Sequence, residues 1–179
     1  LLLSPIIVVF AVFSPMVIYA FYSEKFQSAS GFMVLVALAM TFFVPAKTIS
    51  MAFLAKGNSK GYFLNQFTFV AYTLVLNIIG FHYGDLLGLG ISYLGAYMLY
   101  LLQTFFTCHH YYQFNFEKQI IIKVCLYLAL LVSACLLSFY ATSLIKYTIG
   151  TALVVATSLI AFIDLNSKLD IIKYLRKKL

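Results

Sequence analysis

"YFLNQFTFVAYTLVLNIIGFHYGDLLGLGISYLGAYMLYLLQ", residues 62–103, holds two apolar runs separated only by a polar break at 82–85. The runs, Tyr62 to Phe81 and Leu86 to Cys108, each have the roughly twenty residues a helix needs to cross a hydrocarbon core of about 30 Å. Outward from this stretch the pattern recurs at Leu1 to Tyr22, Gly31 to Ala55, Ile120 to Tyr140 and Tyr147 to Ile163, giving six expected spans. Because the runs are continuous and do not alternate, they predict helices and not barrel strands. Of the 179 residues, 64% are hydrophobic and 9% charged, and the mean hydropathy is +1.00, outside the range of an ordinary water-soluble domain. The expected fold class is an all-α integral membrane domain of about six transmembrane helices over residues 1–164, with a basic amphipathic tail at 165–179.

The first span has neither a basic leader nor a small-residue cleavage site before it, so it does not read as a signal peptide. The opening leucine suggests a fragment lacking its N-terminal part. Cys108, Cys125 and Cys135 form no CxxC pair and read as packing residues.

Charge orients the spans. With alternating helices, Lys56, Lys60, Lys118, Lys123, Lys168, Lys173, Arg176, Lys177 and Lys178 fall on one side, and only Lys25 and Lys146 on the other. Positive residues resist transfer during insertion, so the first side is cytoplasmic and both ends of the chain face the cytoplasm. The tail "LNSKLDIIKYLRKKL" at 165–179 carries Lys168, Lys173, Arg176, Lys177 and Lys178 around an apolar face of Leu169, Ile172 and Leu175, and Ser167 and Asp170 have capping-box-like spacing. It is expected to lie on anionic inner-leaflet lipids, at about 1 kcal/mol per cation. A basic tail that only fixes topology is the plainer reading.

Within the third span, Asn65, Thr73 and Asn77 share one face with Phe69 between them. Such a row is read first as interhelical hydrogen bonding, and second as a stripe offering hydrogen bonds to sugar hydroxyls. Across the next junction, Gly84, Gly88, Gly90, Ser92 and Gly95 make the densest group of small residues, where helices can approach closely. Tyr93, Tyr97 and Tyr100 form an i, i+4, i+7 row, which reads as packing or interfacial anchoring before sugar stacking.

Lys47 is the cation that belongs to neither side. It lies nine residues before Lys56, or about 13 Å along a helix, near the middle of a bilayer. Side chains lean toward the helix N-terminus, here away from the nearer interface, so snorkelling looks a poor escape. A lipid-facing lysine would cost at least about 2.5 kcal/mol. A protein- or water-facing position is therefore expected, with Ser50 one turn on and Pro45 freeing the Thr41 carbonyl to bend the span. Two readings remain for Lys47: a cation satisfied by neighbouring carbonyls, or one that attracts an anionic cargo.

Catalytic signals are weak. His109 and His110 are adjacent and so point to different helix faces, and His82 and Asp85 lie in a loop too short to build a site alone. No catalytic residue, metal site or cofactor is expected.

The stretches "PMVIYAFYSEKF" at 15–26, "FLAKGNSK" at 53–60 and "LNIIGFHYGDLLGLGISYLGAYMLYLLQ" at 76–103 resemble the C-terminal part of polysaccharide and O-antigen flippases, the Wzx-type members of the MOP exporter superfamily. The likeness runs over most of 1–112, and the last two spans match only as generic apolar helices; the family's usual proline before Gly84 is absent. The resemblance implies part of a two-lobe, MATE-like inner-membrane transporter that rocks between inward-open and outward-open states. Its cargo would be an undecaprenyl-pyrophosphate-linked oligosaccharide, an O-antigen or capsule unit of lipopolysaccharide or polysaccharide biosynthesis. Its partners would be that lipid-linked oligosaccharide, anionic inner-leaflet lipids and other glycan-assembly membrane proteins, with no nucleic acid. The expected substrate path then runs by Lys47, Ser50, Asn65, Thr73 and Asn77. A multi-span enzyme of envelope glycan assembly, a polymerase or an acyltransferase, is the alternative, and an assembly subunit the third reading; short loops count against the enzyme.

Overall fold

A computed structural model describes residues 4–21, 29–113, 126, 128–133 and 143–169. Most of the expected fifth span, the loop cations Lys25, Lys118 and Lys123, and the tail cations Lys173, Arg176, Lys177 and Lys178 lie outside the described residues, as does the side chain of Lys168. Every described element is helical: α1 Ser4–Val12, α2 Ser14–Phe21, α3 Ser30–Ala55, α4 Ser59–Tyr112 and α5 Ser143–Leu169. Among them α3 and α4 are long and apolar enough to cross a membrane.

Local chemistry explains the breaks. Pro5 and Pro15 each occupy the first turn of a helix, where a missing N–H costs nothing, and the chain bends at Phe13 before the second Ser-Pro pair. Helix α3 runs through Pro45 as a single element and stops at Gly57, whose φ of +73° suits glycine. There the Asn58 N–H reaches the Phe53 carbonyl at 2.8 Å and the Gly57 N–H reaches Leu54 at 3.0 Å, a Schellman ending. Asn58 then caps α4, its Oδ1 accepting the Gly61 N–H at 2.8 Å. Three residues thus reverse the chain.

Helix α4 is not straight. Gly84 (φ −148°, ψ 22°) and Asp85 (φ 46°, ψ −133°) break it into two limbs, 59–83 and 86–112. The limbs lie antiparallel, because Gly80 meets Gly88, Asn77 meets Ser92, Gln66 meets Tyr100 and Asn65 meets Gln103, all stepping symmetrically away from the break. The break expected at 82–85 is therefore a sharp elbow between two limbs. Helix α3 packs along both limbs, and α1 packs against α3 and α5.

Two core clusters hold α3 to α4. Ala46, Phe69 and Tyr100 form one, surrounded by Phe43, Tyr72, Tyr97 and Leu101; Ile49, Phe53 and Cys108 form the other, with Tyr62 and Tyr112 beside them. The Phe69 and Tyr100 ring centroids are 4.1 Å apart and those of Phe43 and Tyr97 4.8 Å apart, in tilted arrangements. The outer surface of α4 is formed by Phe63, Leu64, Phe67, Val70, Leu74, Val75 and Ile78, all exposed.

Candidate functional site

The polar residues point inward. Asn65 is 4% exposed and lies between the limbs. Its Nδ2 donates to Thr104 Oγ1 at 3.1 Å, and Gln103 Nε2 donates to both its Oδ1 (2.8 Å) and its backbone oxygen (3.0 Å). One helical turn away, Tyr100 donates its phenol to Gln66 Oε1 at 2.7 Å. Toward the elbow, Ser92 Oγ lies 2.8 Å from Asn77 Oδ1 and 2.8 Å from the Leu89 carbonyl. Asn77 itself lines a cavity of about 580 Å³ with Leu74, Ile78, Phe81, His82 and Asp85.

Lys47 is half-buried on α3, and its Nζ donates to the Tyr62 hydroxyl at 3.0 Å while lying 5.3 Å from that ring's centroid. Tyr62 stands three residues into α4, so its backbone is closer to the 56–58 turn than Lys47 is. The phenol that meets the ammonium comes from another helix, so Lys47 faces protein. The phenol oxygen is the group that satisfies the ammonium, because Nζ, 3.0 Å from that oxygen and 5.3 Å from the centroid, lies beyond the ring's edge and not over its face. Ser50 is fully buried and turns back on its own helix, donating to the Lys47 carbonyl at 2.7 Å.

Thr73 Oγ1 is enclosed without a hydrogen-bond partner, as are Thr41 Oγ1 and Tyr72 Oη. Phe43 packs on both Phe69 and Tyr97, so the helical register places Thr41 near the depth of Tyr72, Thr73 and Gly95. A Cβ on Gly95 would meet nothing within 4 Å. Three enclosed hydroxyls without a hydrogen-bond partner among the described residues, and the open face of Gly95, thus fall at about one level of the helices.

The small residues divide into two groups. A Cβ at Gly88 would overlap the Gly80 carbonyl, and one at Gly90 would come within 2.9 Å of Leu35, whereas Gly84 and Gly95 have nothing within 4 Å. Close packing at Gly84 and Gly95 therefore has no neighbour among the described residues. Tyr93 and Tyr97 pack edge-on at 5.7 Å, and Tyr100 is fully buried, so the tyrosine row belongs largely to the core.

Sequence reasoning missed Tyr62, Gln66, Thr104 and Tyr112 as partners. Tyr112 accepts from Asn58 Nδ2 at 3.2 Å and ties the end of the second limb to the turn. The signal for the turn was present: glycine followed by asparagine in "AKGNSK" is a helix stop joined to a helix cap. No family model, curated protein or solved structure matches this chain.

Proposed function

We propose that the chain is the C-terminal portion of a multi-pass transporter in the cell inner membrane, a flippase moving a lipid-linked oligosaccharide outward. The observation that carries the reading is the inside-out distribution of polarity. Asn65, Ser92 and Thr104 are buried while Phe63, Phe67, Leu74 and Ile78 are exposed. Water would penalise such a surface, and hydrocarbon would accept it. A glycan and its pyrophosphate cannot cross hydrocarbon unaided, so their carrier needs polar groups and cations inside a lipid-facing shell. Lys47 and the Thr41, Tyr72 and Thr73 hydroxyls, unpartnered among the described residues, supply such groups. In this reading Lys47 attracts the anionic cargo and Tyr62 holds the ammonium until cargo arrives.

The test is glycan export by the full-length protein at equal membrane abundance. Lys47→Arg retains partial export, Lys47→Ala loses most of it, and Tyr62→Phe stays close to wild type because the cation remains. Normal export by Lys47→Ala would reject the role. Equal loss in Lys47→Ala and Tyr62→Phe, together with equal destabilisation, would make the pair a packing lock instead.

A further inference from the structure

We infer that the groove between the two limbs of α4, at the end beside the 56–58 turn, binds the headgroup of a membrane lipid that carries both a phosphodiester and free hydroxyls. The cavity has a volume of about 360 Å³ and is lined by Asn58, Lys60, Asn65, Thr68, Gln103, Thr107 and Tyr111 with Phe53, Gly61 and Leu64. Seven of these ten residues are polar, whereas the face of the first limb at Phe63, Phe67, Val70, Leu74 and Ile78 is apolar and exposed. That contrast calls for an occupant.

Which occupant follows from the hydrogen-bonding capacity left over. The Thr68 and Thr107 hydroxyl protons go to the Leu64 and Gln103 carbonyls, at 2.9 and 2.6 Å, and the Gln103 amide protons go to Asn65. What the groove offers is three acceptors, two hydroxyl oxygens and the Gln103 side-chain oxygen, beside two donors at its rim, the Tyr111 hydroxyl and the second Asn58 amide proton. Acceptors in the floor suit ligand hydroxyls. Lys60 adds a cation from the first turn of α4, a position where the helix dipole disfavours positive charge. Asp85 is the sole acid whose side chain is described, and it lies at the elbow, at the opposite end of the limb. Lys60 is thus left unneutralised by the described residues, and an anion beside the acceptors completes the site. Exposed Leu64, Leu102 and Phe106 on the same limbs give acyl chains a surface, which favours a lipid over a soluble phosphate.

The inference rests on the membrane-embedded part of the proposed function and not on its cargo. Its test uses the full-length protein in phosphatidylcholine nanodiscs doped with equal amounts of phosphatidylglycerol and phosphatidic acid, with retained lipid counted by native mass spectrometry. Wild type retains phosphatidylglycerol over phosphatidylcholine and over phosphatidic acid. Lys60→Gln weakens that retention by about fivefold or more, the effect of one cation at a membrane surface. Lys56→Gln, four residues earlier and outside the cavity lining, changes it less than twofold. Thr107→Val, with Lys60 intact, erases the preference over phosphatidic acid, which lacks the glycerol hydroxyls. Equal losses from Lys56→Gln and Lys60→Gln would reduce the effect to diffuse surface charge and overturn the site. Tight binding of soluble glycerol phosphate without lipid would overturn the membrane occupant. Failure of the transport reading leaves phosphatidylglycerol retention intact, and failure of the groove leaves Lys47-dependent export intact.

Discussion

The α3–α4 unit and the α1–α5 contact are both made of apolar helices, yet they are joined by different chemistry. Lys47 with Tyr62 links α3 to α4, and Asn65 with Gln103 and Thr104, Gln66 with Tyr100, and Asn77 with Ser92 link the limbs of α4. Where α1 meets α5, Val8 and Val12 pack with Leu131, Leu153 and Val154; Gly150 sits against Val12, and Phe13 stacks on Tyr147 at 5.7 Å. Thr151, Thr157 and Ser158 of α5 turn their hydroxyls to carbonyls of their own helix. Under the membrane reading proposed above, apolar contact alone discriminates poorly between one helix register and the next, because acyl chains compete for the same surface. Polar pairs and close glycine contacts make one register better than its neighbours. The α3–α4 unit is therefore specified by polar pairs and the Gly80–Gly88 contact, and where α1 meets α5 the described side chains Val8, Val12, Leu153 and Val154 pack as apolar groups beside one close glycine, Gly150.

The sharpest way to break that contrast is at the elbow. Gly88→Ala drives a methyl into the Gly80 carbonyl, a backbone atom that cannot swing aside. Its expected cost is about 3 kcal/mol, the upper range for overpacking. Gly95→Ala, in open space, is neutral or stabilising by up to about 1 kcal/mol, the helical preference for alanine over glycine. Thermal unfolding of both variants in detergent checks this, and equal midpoints would remove the elbow from the account of register.

A smaller effect separates the two kinds of helix contact directly. Asn65→Leu strands the Gln103 amide and Thr104, and is expected to cost about 2 kcal/mol as buried groups lose their partners. Adding Gln103→Leu should recover part of that loss, because the second change removes one stranded group. Thr157→Val in α5, whose hydroxyl meets Leu153 and Val154 of its own helix among the described residues, should stay within about 0.5 kcal/mol. A double-mutant cycle by chemical or thermal unfolding measures the coupling, and its absence would mean the amides do not set the register.

The smallest effect sharpens the comparison without breaking it. Asp85 has φ 46° and ψ −133°, backbone angles that glycine adopts freely and an aspartate does not. Asp85→Gly is expected to gain about 1 kcal/mol by releasing that strain, visible as a raised unfolding midpoint. A lowered midpoint would show that the carboxylate itself stabilises the elbow.

Helices and the places where the chain turns were legible in the sequence, because both are local. Apolar runs of span length predicted α3 and the two limbs of α4, and the polar break at 82–85 marked the elbow. The inward row of Asn65 and Phe69 was legible too, since a period of 3.6 residues sets which side chains share a face. What periodicity does not contain is which face meets which. Lys47 reaches Tyr62 fifteen residues on, and Asn65 reaches Thr104 thirty-nine residues on. Those distances along the chain close only because Gly57 and the Gly84–Asp85 elbow reverse it at particular points. The amphipathic pattern is a property of one helix and is written in its own residues. A hydrogen bond between helices is a property of two, and an amide on the correct face accepts many partners until the fold brings one within 3 Å.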